Sequence, residues 1–338
     1  MMRQNYRRVH IVEFGNLVCM DGRVSIPLAC GMPMGSCQTW NTAGAMVDLA
    51  SPVFYNSLLD WYECVTAAGR ICIFGVTSHY SQSNVHMGCR AHDYNRHAAE
   101  GMAVSQARQL MDDFALYDGS RKLYPVVWIV ETDRQAITLR KLRGSATLAA
   151  ISLIDRSRDE IVKEVVEFYR GEIDDVRVSE AIGKEIMVGN IGQVKRNGIA
   201  GIDSAGAIDH AERALCWGRG FDWVTESARN TALIIGHFDP DAEAHIRTAA
   251  DILYANLVIR KTVPLREGVA LITSVPYRAA ASEPARRFAE RKAEFFHHRA
   301  MEAIARGCPE LLPHLHYMVG VVNNDTRRFR TIRRGSMC

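Results

Sequence analysis

Apolar residues fall in two rhythms along this chain: short, nearly continuous runs, and longer stretches with helical spacing. Residues 9 to 19, VHIVEFGNLVC, read as a strand, and residues 54 to 68 as a helix. Arg70 to Ser78, RICIFGVTS, is a brief apolar run typical of a buried strand, and residues 96 to 114 predict another helix. YPVVWIVETDRQAITL, from Tyr124 to Leu139, gives a further strand with a hairpin partner. Strands alternating with helices predict an α/β layer.

The same order recurs in the second half. HAERALCWG (210 to 218) precedes RNTALIIG (229 to 236), as Cys19-Met20-Asp21-Gly22-Arg23 precedes NTAGAMVDL (41 to 49). ILYANLVIRKTVPLREGVALITSVPY (252 to 277) echoes SLLDWYECVTAAGRICIFGVTSHY (57 to 80), and a helix from about 282 to 305 leads into LHYMVGVVNNDTRRFRTI. This self-similarity predicts an internal duplication. The copies differ at their polar positions. Thr77-Ser78-His79-Tyr80 becomes Thr273-Ser274-Val275-Pro276-Tyr277, and the region of Cys19 becomes His210-Ala211-Glu212-Arg213. Between the copies, about 141 to 205 is charged and reads as a helical connector that packs across the first domain.

At 338 residues the chain is long enough for two domains. A formal net charge of +3 gives no strong pull toward nucleic acid or a membrane surface. The basic segment TRRFRTIRRGS alternates arginine with Phe and Ile, which suits a strand with one solvated face as well as a nucleic-acid contact. No run reaches the roughly 18 apolar residues of a membrane helix. The nine cysteines form an odd set without a secretion signal, so reduced thiols and a cytoplasmic location are expected.

Those thiols change the picture where they meet other ligating residues. Cys19 at the end of the first predicted strand, His79 at the end of RICIFGVTS and Cys89 in the following loop converge at strand carboxyl ends, where an open α/β sheet places its sites. Two cysteines and one histidine suit a catalytic zinc ion, which takes three protein ligands and keeps a fourth position for water. Such an ion lowers the pKa of water from ~16 toward ~7. If Cys19 ends a strand, residues 19, 21 and 23 project from one side of an extended backbone. Asp21 would then orient the attacking hydroxide, held by a two-point contact with the Arg23 guanidinium. The combination suits hydration of a small electrophile.

Competing assignments exist. His86 forms a compact His-x-x-Cys with Cys89 and competes with His79, although it sits in a polar stretch rather than after a strand. His92 and His97 are close enough to relay protons but read more simply as solvated side chains. Cys30, Cys37, Cys64 and Cys72 read as small buried apolar residues. Two other functions use the same residues: a Cys-His thiol hydrolase with Cys19 as nucleophile, and a scaffold whose structural zinc takes His86 as fourth ligand.

The Cys-x-Asp-x-Arg pattern, with His and Cys far downstream, resembles the β-class carbonic anhydrases. HYSQSNVHMGCRAH, with its spacer between His79 and Cys89, IVETDRQAITL and DHAERALCWGRGFDWVTESARNTA resemble more specifically the divergent carboxysome shell carbonic anhydrases. The resemblance implies a catalytic β-carbonic-anhydrase-like domain over 1–195, including the connector, and a degenerate, metal-free copy over 196–338. It assigns one Zn²⁺ per chain to Cys19, His79 and Cys89, the catalytic dyad to Asp21 and Arg23, and reversible hydration of CO2 to bicarbonate as the reaction. It also implies a homodimer, with carboxysome shell or Rubisco proteins as partners. Family members carry a long region ahead of the catalytic domain, whereas Cys19 here lies near the first residue, leaving a carboxysome and a free cytosolic location both open.

Overall fold

The computed structural model describes residues 10–33, 35–118, 122–197, 211–221, 231–278, 283–326 and 328–337. Its chain divides into two compact units: residues 1–19 with 23–208, and residues 20–22 with 209–338. Each unit is a mixed α/β layer on a mainly parallel sheet.

The first unit holds β1 (Val12–Cys19), β2 (Cys37–Thr42), β3 (Ile71–Tyr80), β4 (Leu123–Glu131), β5 (Ala136–Arg140) and β6 (Thr147–Ala149), in the sheet order β2-β1-β3-β4-β5-β6. The first four strands run parallel; β5 is antiparallel to β4, and β6 is antiparallel to β5. Every residue of β1 is buried, because a central parallel strand is covered on both faces, and its sequence is correspondingly apolar apart from Glu13 and Asn16. Helices α1 (Ile26–Ala29), α2 (Pro52–Ala67) and α3 (Arg96–Asp118) connect these strands, and α3 packs on β3 and β4.

Aromatic rings fill the sheet's surroundings. Trp40, Trp61 and Phe74 meet edge-on or tilted, with centroids 5.4 to 6.1 Å apart. They close over Gly15, where an added Cβ would lie 2.9 Å from both Phe74 and Trp61. The next residue, Asn16, faces the other side of the sheet, where its Oδ1 accepts a hydrogen bond from Trp128 Nε1 at 3.0 Å. Trp128 crosses directly over Gly75, and a Cβ at that position would overlap the indole nitrogen.

The connector is helical over much of its length, with one short strand. It opens with the short strand β6, continues through α4 (Arg158–Phe168) and α5 (Val176–Ala181), and after a π-turn at Ile182–Met187 ends in α6 (Val188–Asn197). Its residues 198–205 lie outside the described residues. As expected, it packs on the first unit, and fully buried Asn190 is the joint. Asn190 Oδ1 accepts from Ile137 N at 2.8 Å, and Nδ2 donates to the carbonyls of Ala29 and Gln135 at 2.8 and 2.7 Å. Asn190→Ala strands three buried backbone groups, each worth about 1 kcal/mol or more, so a loss of about 3 kcal/mol is expected. A urea titration reads this as a lower midpoint with unchanged slope.

The second unit contains β7 (Ala214–Gly218), β8 (Ala232–Ile235), β9 (Val269–Tyr277), β10 (Leu315–Asn323) and β11 (Phe329–Ser336), ordered β11-β10-β9-β7-β8. Again four strands are parallel and the fifth antiparallel. Helix α7 (Ala242–Tyr254) precedes β9, and α8 (Glu283–Gly307) packs across β7, β9 and β10. Read from their opposite edges, the two sheets share one strand order over five strands. The basic segment forms the edge strand β11. Arg330, Arg333 and Arg334 are all exposed, so both of its faces are largely solvated rather than one.

The registers revise how the two halves correspond. In the first sheet Leu17 pairs with Val76, so Cys19, two residues on, is level with Ser78. In the second, Gly218 pairs with Ser274. With Thr77-Ser78 set on Thr273-Ser274, the counterpart of Cys19 is Gly218 and that of His79 is Val275. The expected counterpart His210-Ala211-Glu212-Arg213 is therefore wrong: Ala211 to Arg213 precede β7, and His210 lies outside the described residues. The similarity of Asn230-Thr231-Ala232 to Asn41-Thr42-Ala43 misled for the same reason. Thr42 pairs with Cys19, whereas Ala232 pairs with Ala214 at the start of β7.

Candidate metal centre

Three elements of the first unit converge on one point. Cys19 closes β1, His79 is the penultimate residue of β3, in register with Val130 of β4, and Cys89 begins the short helical turn Arg90–His92. All three side chains are buried, at 5%, 3% and 5% exposure, so a charged ion here would be shielded from bulk water. Their ligand atoms lie within 4.8 Å of one another, and the two sulfurs are 4.0 Å apart.

Those distances fit a tetrahedral ion. Zinc about 2.3 Å from each sulfur at tetrahedral angles separates the sulfurs by about 3.8 Å. Two soft thiols with one imidazole disfavour magnesium or calcium, which take oxygen ligands. Among the described residues the group has three members, which leaves one corner of a tetrahedron for a small molecule.

His86 does not join the group. It is exposed, in a short turn whose cap is the Asn84 side chain, and its ring meets Tyr94 edge-on at 5.3 Å. His92 is not solvated as expected: it is half-buried, with Nε2 3.1 Å from the carbonyl oxygen of Gly44. His97 is exposed on α3. Cys30, Cys37 and Cys72 are buried as read from the sequence. Burial pushes the Cys72 thiol well above its usual range, with the Glu13 carboxylate adding to the effect. Cys64 corrects the expectation, since it lies on the exposed side of α2.

The segment after Cys19 is not one extended run. Strand β1 stops at Cys19, and the chain turns at Gly22 and Arg23, so residues 19, 21 and 23 do not line one side of a strand. Met20–Gly22 belongs to the second unit, where Asp21 forms an isolated antiparallel bridge with Leu233 and Ile234 N donates to Met20 O at 2.8 Å. Glycine is required at 22, because a Cβ there would overlap the carbonyl oxygen of Ala232. Arg23 is 3% exposed and spans several elements of the first unit. Its Nη2 donates to Met87 O at 2.7 Å, Nη1 to Thr132 Oγ1 at 3.5 Å, and its carbonyl accepts from Gln135 Nε2 at 2.8 Å.

One part of this surround was invisible as a functional signal. The turn between β4 and β5 carries Asp133, which accepts from Ser81 Oγ at 2.7 Å, Gln82 N at 2.9 Å and Ser83 N at 2.7 Å. Burial acts to raise this carboxyl's pKa, but the hydrogen bonds from Ser83 and Ser81 outweigh it and hold the group below its ordinary value. Neighbouring Glu131 goes the other way, lifted chiefly by burial. The only sequence cue was a polar Glu-Thr-Asp-Arg break between two apolar runs, which reads as a plain turn.

No helix among the described residues is long and apolar enough to cross a membrane. Comparison with models of known protein families gives no match, and no curated protein matches the chain.

Proposed function

We propose that this chain is a zinc-dependent carbonic anhydrase that interconverts CO2 and bicarbonate, built as two β-carbonic-anhydrase-like units of which the second has lost its ligands. The observation that carries the reading is the buried Cys19, His79 and Cys89 trio, with Cys19 and His79 at the carboxyl ends of parallel strands and Cys89 in the loop that follows. The shared strand order of the two sheets, with Gly218 and Val275 where the first has Cys19 and His79, supports the duplication.

In this reading the three side chains hold one zinc ion, which when bound supplies hydroxide at neutral pH. By resemblance Asp21, two residues after Cys19, would accept a hydrogen bond through a carboxylate oxygen from the attacking hydroxide and so orient it toward CO2. By resemblance Arg23 would complete the dyad with Asp21, and Met87, Thr132 and Gln135 hold Arg23 in place. Burial of the trio lowers the local dielectric, which strengthens the electrostatic effect of a bound ion. By resemblance, the reading extends to a homodimer. A structural-zinc scaffold is less well supported, because its fourth ligand, His86, is exposed and outside the group.

Zinc content and stopped-flow CO2 hydration, measured on one purified sample, test the proposal. One zinc per chain with hydration well above buffer is expected. One tightly held zinc without hydration would leave the scaffold standing, and activity without zinc would leave the thiol hydrolase. Asp21→Asn is expected to lower kcat/KM about 100-fold at unchanged zinc content, the scale on which misorienting a reacting group costs rate. A parental rate in that variant removes Asp21 from the mechanism.

A further inference from the structure

We infer that Asp133 is a positioning residue for the Cys19, His79 and Cys89 site, its carboxylate clasping the start of the spacer so that Cys89 stands within reach of the other two donors. The inference rests on the zinc reading of that trio and is independent of which reaction the zinc supports.

The two downstream ligands are held in different ways. His79 sits inside a central strand, hydrogen-bonded along β4. Cys89 lies outside every strand, at the end of a spacer, residues 80 to 88, that begins at the last residue of β3 and then leaves the sheet. A spacer without anchors samples many conformations, and ion binding would have to absorb that entropy. The structure supplies anchors at both ends. At the start, three consecutive residues, Ser81, Gln82 and Ser83, donate to the one Asp133 carboxylate. Ser81 Oγ in turn accepts from Asn84 N at 3.1 Å, and Asn84 Oδ1 from His86 N at 3.0 Å, carrying the order along the spacer. At the far end, Arg23 grips the Met87 carbonyl.

Asp133 is itself fixed to the sheet. Its N–H donates to Glu131 Oε1 at 2.9 Å, and the preceding Thr132 donates to the Tyr80 carbonyl through both N and Oγ1, at 2.9 and 3.2 Å. Tyr80 follows His79 directly. One turn thus ties the strand that carries the histidine to the loop that carries the cysteine. A carboxylate suits the task because an anionic acceptor makes stronger hydrogen bonds than a neutral one and can serve several donors at once. Asparagine retains one acceptor oxygen for the backbone donors, and its amide can donate to Ser81 Oγ.

Full-length Asp133→Ala, Asp133→Asn and parental chains can be compared by zinc titration against a competing chelator and by the thiolate-to-metal absorption of their Co²⁺ forms. Asp133→Ala is expected to bind zinc about 10 to 100-fold more weakly, as when a group supporting a ligand is removed, and to show weakened thiolate absorption. Asp133→Asn should restore most of both, and the unfolding midpoints of the three zinc-free chains should agree. Parental affinity in Asp133→Ala overturns the inference, as does a zinc-free midpoint that falls in step with affinity, or an Asn variant as weak as the Ala. If Asp133→Ala does not fold, Ser81→Ala takes its place: weaker zinc binding supports the clasp and unchanged binding overturns it. A parental chain that binds no zinc defeats the metal reading itself, a result distinct from all of these.

Discussion

Cys89→Ser is expected to abolish stoichiometric zinc binding and, with it, CO2 hydration. Serine preserves the shape of the side chain but replaces a polarisable thiolate by a hydroxyl that stays protonated at neutral pH. The site is buried and has three candidate ligands among the described residues, so no spare donor is at hand to take the vacated place. Zinc affinity should fall by more than the ~10 to 100-fold that follows loss of a supporting group outside the ligand set. Cys19→Ser should behave alike, since the two sulfurs face each other at 4.0 Å. His79→Gln should match them, whereas His86→Gln and Cys64→Ser, both at exposed positions, should keep parental zinc and rate. Metal analysis and stopped-flow hydration of the five variants decide the point. Full zinc and full rate in Cys89→Ser would eliminate this ligand set.

What the sequence disclosed follows from how strongly each element is constrained. Central strands β1, β3 and β4 are buried on both faces, so their residues form apolar runs that stand out from any background. Strand β2 lies at a sheet edge and is only half-buried, with Gln38, Thr39 and Asn41 among its six residues, so it carried no comparable signal. Its absence from the sequence reading explains the misplaced correspondence. Without β2 and β8 to fix the register, the similarity of Asn-Thr-Ala tripeptides took the place of strand pairing. That Cys19, His79 and Cys89 come together was legible because thiol and imidazole at and beyond the ends of apolar strands are rare and chemically specific. The Asp133 clasp was not, because aspartate is commonplace in turns and nothing local says which loop it holds.

Comparison of the two sheets also separates what the fold needs from what chemistry needs. The Thr-Ser pair at 77–78 and 273–274 is kept, and in the second unit Thr273 and Ser274 are fully buried within the strand. At the neighbouring register positions the first sheet has Cys19 and His79 and the second has Gly218 and Val275, a glycine at φ 118° and an apolar side chain. Valine suits a buried β position and cannot ligate an ion. The two sheets thus share a strand order, and the second has a glycine and a valine at the strand ends where the first has a thiol and an imidazole.

The largest stability effect is expected at Gly75. Its Cα lies beneath the Trp128 indole, so a methyl group there overlaps the ring nitrogen, and Asn16 Oδ1 stands within 2.6 Å of the same point. Trp128 is wholly buried and packed, and cannot swing out without disrupting the sheet's centre. Gly75→Ala therefore forces overpacking, worth about 1 to 3 kcal/mol. It also breaks the bond between Trp128 Nε1 and Asn16 Oδ1, leaving both buried without each other at about 1 to 3 kcal/mol more. A loss near ~4 kcal/mol would consume much of a typical domain's stability. Thermal unfolding should show a large drop in Tm, with low soluble yield. Trp128→Phe supplies the control, because the smaller ring withdraws the atoms that the added methyl group would strike. The double variant should be clearly more stable than the sum of the two single losses predicts, as expected for residues in contact. Strict additivity would mean that the cost of a side chain at position 75 arises somewhere other than the indole.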